Sequence, residues 1–207
     1  MKESILAIAP HPDDIEIGCG GTLLKLAGRY DIHLLILTKG RIGGEGRVKE
    51  QEASAAILNA SKIWWGEYED TQIPYTRECI DFFEKTINEI DPAIIFINYY
   101  RDTHQDHRAT ANNLQSATRY RRNVLFYEVP TSIDFTPTVF MDIRDVWERK
   151  KELLKAHESQ INATRVEGLS ILDSAESCAI FRGYQSRVKY AEAFMPLRLS
   201  LDSCLNL

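Results

Sequence analysis

The chain has 207 residues, 44% hydrophobic and 27% charged, a composition that excludes a disordered protein and is sufficient for one domain with a full core. Its net charge of −5 offers no basic surface for nucleic acid. No apolar run approaches the roughly 18–20 residues that cross a bilayer, and the apolar run near the N-terminus is too short for a secretion signal. We therefore expect a cytoplasmic protein without nucleic-acid or membrane partners, and we leave open whether it forms a homo-oligomer.

Strand-like and helix-like patterns alternate along most of the chain. In chain order, the apolar patterns predict strand 4–9, helix 15–29, strand 32–38, helix 47–60, strand 63–65, helix 76–90, strand 93–98, helix 107–121 and strand 124–127. The glycine-rich stretch 39–46 is predicted to be a flexible loop. Further on, the pattern predicts an edge strand at 138–141, helices at 144–157 and 175–181, and a strand or loop near Phe194, while 197–207 receives no assignment.

This alternation indicates an α/β fold, because strands that alternate with helices form parallel sheets through right-handed crossovers. We predict one Rossmann-like domain over residues 1–207, with a mostly parallel central sheet and helices on both faces. Gly18, Gly20 and Gly21 lie about nine residues beyond the first strand, too far for a dinucleotide-binding turn. They are better explained by close packing of a helix against the sheet.

The end of the first predicted strand carries an imidazole and two adjacent carboxylates, His11, Asp13 and Asp14. Ligands of open α/β sheets bind at the carboxyl ends of the strands, where loops leave room for them. Neighbouring aspartates repel one another, and burying them is costly unless a cation offsets the charge. The strand end is therefore a candidate metal site.

A second polar cluster, 102–107, follows the predicted strand 93–98. If the two strands are neighbours, His11, Asp14 and His107 supply two nitrogens and one oxygen, the composition of a catalytic zinc site with an open position. His104 lies on the same helix face as His107 and is free to move protons. Asp106 is expected to orient an imidazole from outside the ligand set.

Two further polar residues follow strand ends on the same predicted edge. Arg47 comes after the glycine-rich loop, and Asp70 comes after the short tryptophan-rich strand. Each is compatible with an ordinary surface role, Arg47 as the partner of Glu50 in a helix ion pair, and each is also placed to contact a substrate.

These motifs together resemble the PIG-L/LmbE-like family of zinc-dependent N-acetylglucosamine de-N-acetylases. His-Pro-Asp-Asp-x-Glu occupies 11–16 and His-x-Asp-His occupies 104–107, and this pair of motifs is specific for the family. The arginine-bearing helix start at 47–53 and the loop at 67–70 are similar to the family pattern. The late motifs at 157–160 and 190–194 agree with it.

The resemblance implies a zinc-dependent N-deacetylase, a hydrolase of C–N bonds other than peptide bonds, whose substrate is a small acetylated amino-sugar conjugate. It implies that His11, Asp14 and His107 bind Zn²⁺, with Fe²⁺ or Co²⁺ as alternatives, and that Asp13 is the general base. Arg47 and Asp70 are then expected to bind sugar hydroxyls. The group attached to the sugar is not determined by these motifs.

The chemistry of the residues agrees with that expectation. Zinc lowers the pKa of a bound water to about 7, which makes it a nucleophile for amide hydrolysis, and Asp13 can take its proton. A protonated His104 can assist the carbonyl oxygen as it becomes an oxyanion. The leaving amine needs a proton from Asp13 or His104, and the sequence does not decide between them.

Two other functions fit parts of the pattern. A non-haem iron enzyme also uses two histidines and one carboxylate, although we associate that triad with all-β folds. A non-catalytic sugar-binding relative would be expected to lack a motif residue, and every motif residue is present.

Overall fold

The computed structural model describes residues 2–40 and 44–202. The strands are β1 (Ser4–Ala9), β2 (Asp31–Thr38), β3 (Lys62–Tyr68), β4 (Ile94–Asn98), β5 (Val124–Tyr127), β6 (Val139–Asp142) and β7 (Ala191–Arg198). The α-helices are α1 (Asp14–Leu26), α2 (Gly44–Leu58), α3 (Arg77–Ile90), α4 (Gln105–Ala117), α5 (Trp147–Lys155) and α6 (Ile171–Ser186), and a short 3₁₀ helix spans Glu158–Gln160.

The seven strands form one sheet in the order β3-β2-β1-β4-β5-β7-β6. Strands β1 to β5 are parallel, and β7 pairs antiparallel with both β5 and β6. The chain goes from β1 outward to β2 and β3, then returns to the other side of β1 with β4. This reversal places a crevice at the carboxyl ends of β1 and β4, the position where open α/β sheets bind ligands. The structure confirms the predicted fold class and the expected pairing of β1 with β4.

Both faces of the sheet are covered, as the continuous apolar strands require. One apolar cluster joins alternate residues of β1 and β2 to α1, and the other joins the intervening residues to α3 and α4. The buried Phe83 and Ile87 lie one turn apart on α3, on the side that packs against the sheet. No helix among the described residues is long and apolar enough to cross a membrane.

Helix α1 packs unusually closely against its neighbours. A Cβ on Gly18 would collide with the ring of Tyr127, whose hydroxyl donates to the Ile8 carbonyl at 2.8 Å. A Cβ on Gly21 would lie 3.0 Å from the Glu192 carboxylate. The glycines therefore serve close packing, as predicted. Glu192, which belongs to the late motif at 190–194, accepts hydrogen bonds from the backbone N–H groups of Gly21 and Thr22.

The C-terminal part differs most from the sequence prediction. Helix α6 begins at Ile171 instead of 175, because Ser170 and Asp173 form a reciprocal capping box at its N-terminus. It ends at Ser186, five residues later than predicted. The segment around Phe194 is a full strand, inserted antiparallel between β5 and β6, and it includes 197 and 198 of the unassigned tail. Residues 41–43 of the predicted glycine loop lie outside the described residues.

Candidate metal centre

The segments that follow β1 and β4 bring three predicted ligands together. Asp14 opens α1, His107 lies in the first turn of α4, and His11 lies in the loop between β1 and α1. Asp14 Oδ2 is 3.3 Å from His11 Nδ1 and 3.3 Å from His107 Nε2. These side chains are 14% exposed at most, so solvent cannot satisfy them freely.

The two distances from Asp14 Oδ2 match the spacing of ligand atoms around a metal ion. Around Zn²⁺ with bonds of about 2.0–2.1 Å, tetrahedral ligand atoms lie about 3.3–3.4 Å apart. Burial opposes protonation of His107, but the carboxylates of Asp14 and Asp102 outweigh it and raise its pKa to about 9. The pKa of Asp14 is lowered, because the facing imidazoles outweigh its burial. A divalent cation can replace the protons that otherwise lie between these imidazoles and the carboxylate.

His104 adds a third imidazole to the cluster. Nitrogen atoms of His11, His104 and His107 all lie within 4.8 Å of one another, so three imidazoles form a second geometrically acceptable donor set. His104 also caps α4, because its Nδ1 accepts the backbone N–H of Asp106 at 3.2 Å. That role occupies Nδ1 and places the proton of a neutral ring on Nε2, so the neutral imidazole has no free lone pair for a metal.

The charge state of His104 differs from the one expected. Burial and the neighbouring imidazoles of His11 and His107 lower its pKa, so the neutral ring is favoured at neutral pH. A neutral imidazole whose Nδ1 accepts a hydrogen bond still has an Nε2–H to donate. His104 can therefore assist an oxyanion as a neutral donor and does not need the extra proton.

Carboxylates outside the ligand set hold His11. Its Nε2 lies 3.2 Å from Asp106 Oδ2 and 3.3 Å from Asp70 Oδ1. Asp106 is fixed in turn by the backbone N–H groups of Thr71, at 2.7 Å, and Ile73. Asp106 thus makes the contact expected of a residue that orients an imidazole. Asp70 contacts the same nitrogen of His11, and its predicted contact with sugar hydroxyls stays a prediction.

Asp102 holds the other imidazole, and sequence reasoning assigned it no role. Its Oδ2 is 3.1 Å from His107 Nδ1 and accepts the Ser132 hydroxyl at 3.2 Å, while Oδ1 accepts the His104 backbone N–H at 2.8 Å. The general pairing of metal-binding histidines with carboxylates was the available signal. Applied to His107, it points to the only aspartate of the 102–107 cluster not already assigned, Asp102.

Asp13 lies beside the ligands in a strained conformation. Its φ is 93°, a left-handed backbone that non-glycine residues adopt at a cost of about 1–3 kcal/mol. Burial raises its pKa to about 6, against the opposing charge of Arg47. The Arg47 guanidinium is buried, lies 3.3 Å from Asp13 Oδ2, and donates to the Pro12 carbonyl. Its predicted contact with a sugar stays a prediction, and in this structure it holds the candidate base.

A buried polar network lies on the far side of Asp13. Glu16 Oε1 accepts from Gln51 and Ser54 of α2, both at 2.7 Å, and Oε2 is 3.5 Å from His157 Nε2. Burial opposes both charges, yet their attraction prevails, so the pKa of Glu16 is lowered and the pKa of His157 is raised. The first and the late sequence motifs therefore meet behind the candidate base.

Comparisons with known proteins give consistent similarities. The family model described as PIG-L, GlcNAc-PI de-N-acetylase, matches residues 6–118. The diacetylchitobiose deacetylase of Thermococcus kodakarensis is 32% identical over 227 residues, covering 94% of this chain and 84% of that protein. The solved N,N'-diacetylchitobiose deacetylase from Pyrococcus horikoshii, bound to its inhibitor, superposes with a TM-score of 0.84 at 26% identity, over 94% of this chain and 84% of that one.

One structural relative has a different reaction in its name. GalB from Pseudomonas putida KT2440, a 4-carboxy-2-hydroxymuconate hydratase, superposes with a TM-score of 0.81 at 19% identity, over 97% of this chain and 98% of that one. That similarity concerns the fold alone. The fold therefore hosts more than one reaction, and the chemistry of this chain must be argued from its site.

Proposed function

Because the chain belongs to the PIG-L family, we propose that it is a metal-dependent N-deacetylase that releases acetate from a 2-acetamido sugar conjugate. The observation that carries the proposal is the position of Asp13. Its carboxylate is adjacent in the chain to Asp14, which contacts both His11 and His107, while His104 faces the same space. A base, a donor set for a metal and a hydrogen-bond donor are the three groups that amide hydrolysis needs.

His11, Asp14 and His107 would hold the metal, with Zn²⁺ favoured for two imidazoles and one carboxylate and Fe²⁺ or Co²⁺ as alternatives. The bound metal would supply Lewis-acid polarisation of the acetamido carbonyl and acidify a water molecule. We prefer Asp14 to His104 as the third ligand. Nδ1 of His104 accepts the hydrogen bond that caps α4, so the proton of the neutral ring is on Nε2 and blocks that nitrogen as a ligand.

The remaining steps belong to the chain's own residues. Asp13 accepts the proton of the attacking water on its carboxylate, which Arg47 keeps in place. His104 donates its Nε2–H to the carbonyl oxygen as negative charge develops there. The C–N bond then breaks, and Asp13 returns the proton to the leaving amine nitrogen, so that acetate and the free amino sugar are produced.

The substrate class is supported by the names of the relatives, which act on diacetylchitobiose. Arg47, beside Asp13, and Asp70, beside His11, supply a donor and an acceptor, and such groups discriminate against substrates that lack matching hydroxyls. The exposed faces of both side chains are small, 6% for Arg47 and 17% for Asp70, so contact would be limited to the edge of a sugar ring.

Acetate release tests the proposal directly. We would incubate the metal-loaded protein with diacetylchitobiose and other N-acetylglucosamine conjugates, using Zn²⁺ in air and Fe²⁺ under anaerobic conditions. Release of acetate that is lost in Asp13→Asn is the expected result. No release from any conjugate, with metal fully bound, would contradict the deacetylase. Turnover of the Fe²⁺-loaded protein that begins only when oxygen is admitted would identify an iron enzyme, and sugar binding without turnover would identify a binding protein.

A further inference from the structure

The late motif at 157–160 is unused by the proposed mechanism, although it contacts Glu16 of α1 and Glu50 of α2. It follows α5 and forms the short 3₁₀ helix Glu158–Gln160. Its first residue, His157, is fully buried against Glu16. Because Glu16 is also bound by Gln51 and Ser54, the motif is fixed against both α1 and α2.

Ser159 in this motif binds both oxygens of one carboxylate on α2. Its backbone N–H donates to Glu50 Oε1 at 2.7 Å, and its hydroxyl donates to Glu50 Oε2 at 2.8 Å. Two hydrogen bonds to one carboxylate determine both its position and its rotation.

The same Glu50 is also a potential partner of Arg47. Glu50 Oε2 lies 3.9 Å from Arg47 Nη1, three residues away on the same helix, whereas Asp13 Oδ2 lies 3.3 Å from Arg47 Nη2 and 3.4 Å from Nη1. Two carboxylates therefore compete for one guanidinium. In the structure Asp13 has the closer contact, and the Glu50 carboxylate is engaged by Ser159.

Which carboxylate prevails matters for the reaction. Arg47 contacts the Asp13 side chain and also donates to the carbonyl of Pro12, the residue before the strained Asp13. A backbone in a sparsely populated conformation persists only where its surroundings hold it. If Arg47 turned towards Glu50, the side chain and backbone of Asp13 would lose the same support.

We propose that Ser159 is a positioning residue for the base: by binding Glu50 it keeps Arg47 on Asp13. The inference depends on the assignment of Asp13 as base in the proposed function. The alternative is that Ser159 merely attaches the 3₁₀ helix to α2. The two roles differ in what happens when Glu50 loses its charge, because a neutral amide no longer competes for Arg47.

A double-mutant cycle separates these roles. In Ser159→Ala, the hydroxyl bond is lost, and we expect kcat to fall about 10-fold or more, within the range that a misplaced catalytic group produces. Glu50→Gln alone should keep kcat near that of the parent. The double variant Glu50→Gln with Ser159→Ala should recover most of the lost kcat, with metal content unchanged throughout. A double variant as slow as Ser159→Ala, or a Ser159→Ala variant as fast as the parent, would overturn the proposal.

Crystal structures of the three variants provide a result that does not depend on turnover. We expect the Arg47 guanidinium to contact Glu50 and leave Asp13 in Ser159→Ala, and to return to Asp13 in the double variant. An unmoved Arg47 in Ser159→Ala would reject the positioning role even if the chain proves to be an active deacetylase. A parent without deacetylase activity would reject the proposed function, and the position of Arg47 would still decide the competition between the two carboxylates.

Discussion

Replacing Asp102 by asparagine should weaken metal binding without unfolding the protein. Asp102 uses both oxygens as acceptors: Oδ1 for the His104 backbone N–H, and Oδ2 for the Ser132 hydroxyl and His107 Nδ1. With the Nδ1 proton directed at Asp102, the Nε2 of His107, 3.3 Å from Asp14, is free to bind metal. Asparagine keeps the shape of this side chain and removes one acceptor.

Neither orientation of the asparagine amide reproduces these contacts. With its oxygen towards the His104 N–H, the amide NH₂ faces His107 Nδ1, which must then accept, so the imidazole proton moves to Nε2. With the amide reversed, its NH₂ group faces the backbone N–H of His104, so two donors oppose one another. Either arrangement loses a hydrogen bond to a charged group, about 1.5–3 kcal/mol. Since about 1.4 kcal/mol is tenfold in affinity, the dissociation constant for Zn²⁺ should rise about 10- to 100-fold.

The measurement is a competition titration of Zn²⁺ against a chromophoric chelator, with circular dichroism to check folding. Asp134→Asn is the matched control, because Asp134 is paired with Arg101 at the surface and its side chain is 65% exposed. We expect parent-like affinity for the control. An Asp102→Asn variant that is folded and binds Zn²⁺ within about threefold of the parent would refute the tautomer argument, since the lost bond should cost more.

Four other variants and one titration test the rest of the site and its support. Asp14→Ala should lose bound metal in elemental analysis while His104→Ala retains it; the reverse outcome would favour the set of three imidazoles. Asp13→Asn should keep its metal and lose about 10²- to 10⁴-fold in acetate release, the usual contribution of a general base. In the metal-free protein, the Asp13 carboxyl should titrate in carbon-detected NMR with a pKa of about 6, so that the base form increases as the pH rises through that value. Gly18→Ala should lower the free energy of unfolding in urea by about 1–3 kcal/mol or more, because its Cβ would collide with a Tyr127 ring that is held by a hydrogen bond; parent-like stability would show that helix α1 can shift.

The sheet and the approximate position of the candidate metal site were predictable because both follow from local patterns. Continuous apolar runs indicate buried parallel strands, and parallel strands that are neighbours carry their following loops on one edge. Two clusters of imidazole and carboxylate at such strand ends, 11–14 and 104–107, therefore point to one site. The structure has β1 and β4 paired from Ile5 with Ile94 to Ile8 with Ile97, which is what brings them together.

The supporting contacts were not predictable, because they join segments that are distant in the chain, and the motifs at 47–53 and 157–160 do not indicate which of their residues pair with one another. Ser159 and Glu50 are 109 residues apart, and a serine beside a glutamine is ordinary in a surface turn. The extent of α6 was underestimated for a related reason. Its start is determined by a capping box at Ser170, whereas its apolar residues are spread around the helix and give no clear periodicity, with Phe181 exposed.

The balance of charge supports a cation at the proposed metal site. Five carboxylates converge near the two strand ends, belonging to Asp13, Asp14, Asp70, Asp102 and Asp106. Arg47 offsets one of them, and in the metal-free protein the imidazole of His107, whose pKa is raised to about 9, offsets another. Each ligand imidazole lies between Asp14 on its inner side and an aspartate on its outer side, but the two rings do so with opposite nitrogens, Nδ1 inward for His11 and Nε2 inward for His107. When a metal ion replaces the protons between the imidazoles and Asp14, the outer carboxylates would hold the remaining ring protons, which would leave both inner nitrogens available as ligands. A divalent cation bound there would offset part of the remaining negative charge, while Arg47 holds the carboxylate of Asp13, the proposed base.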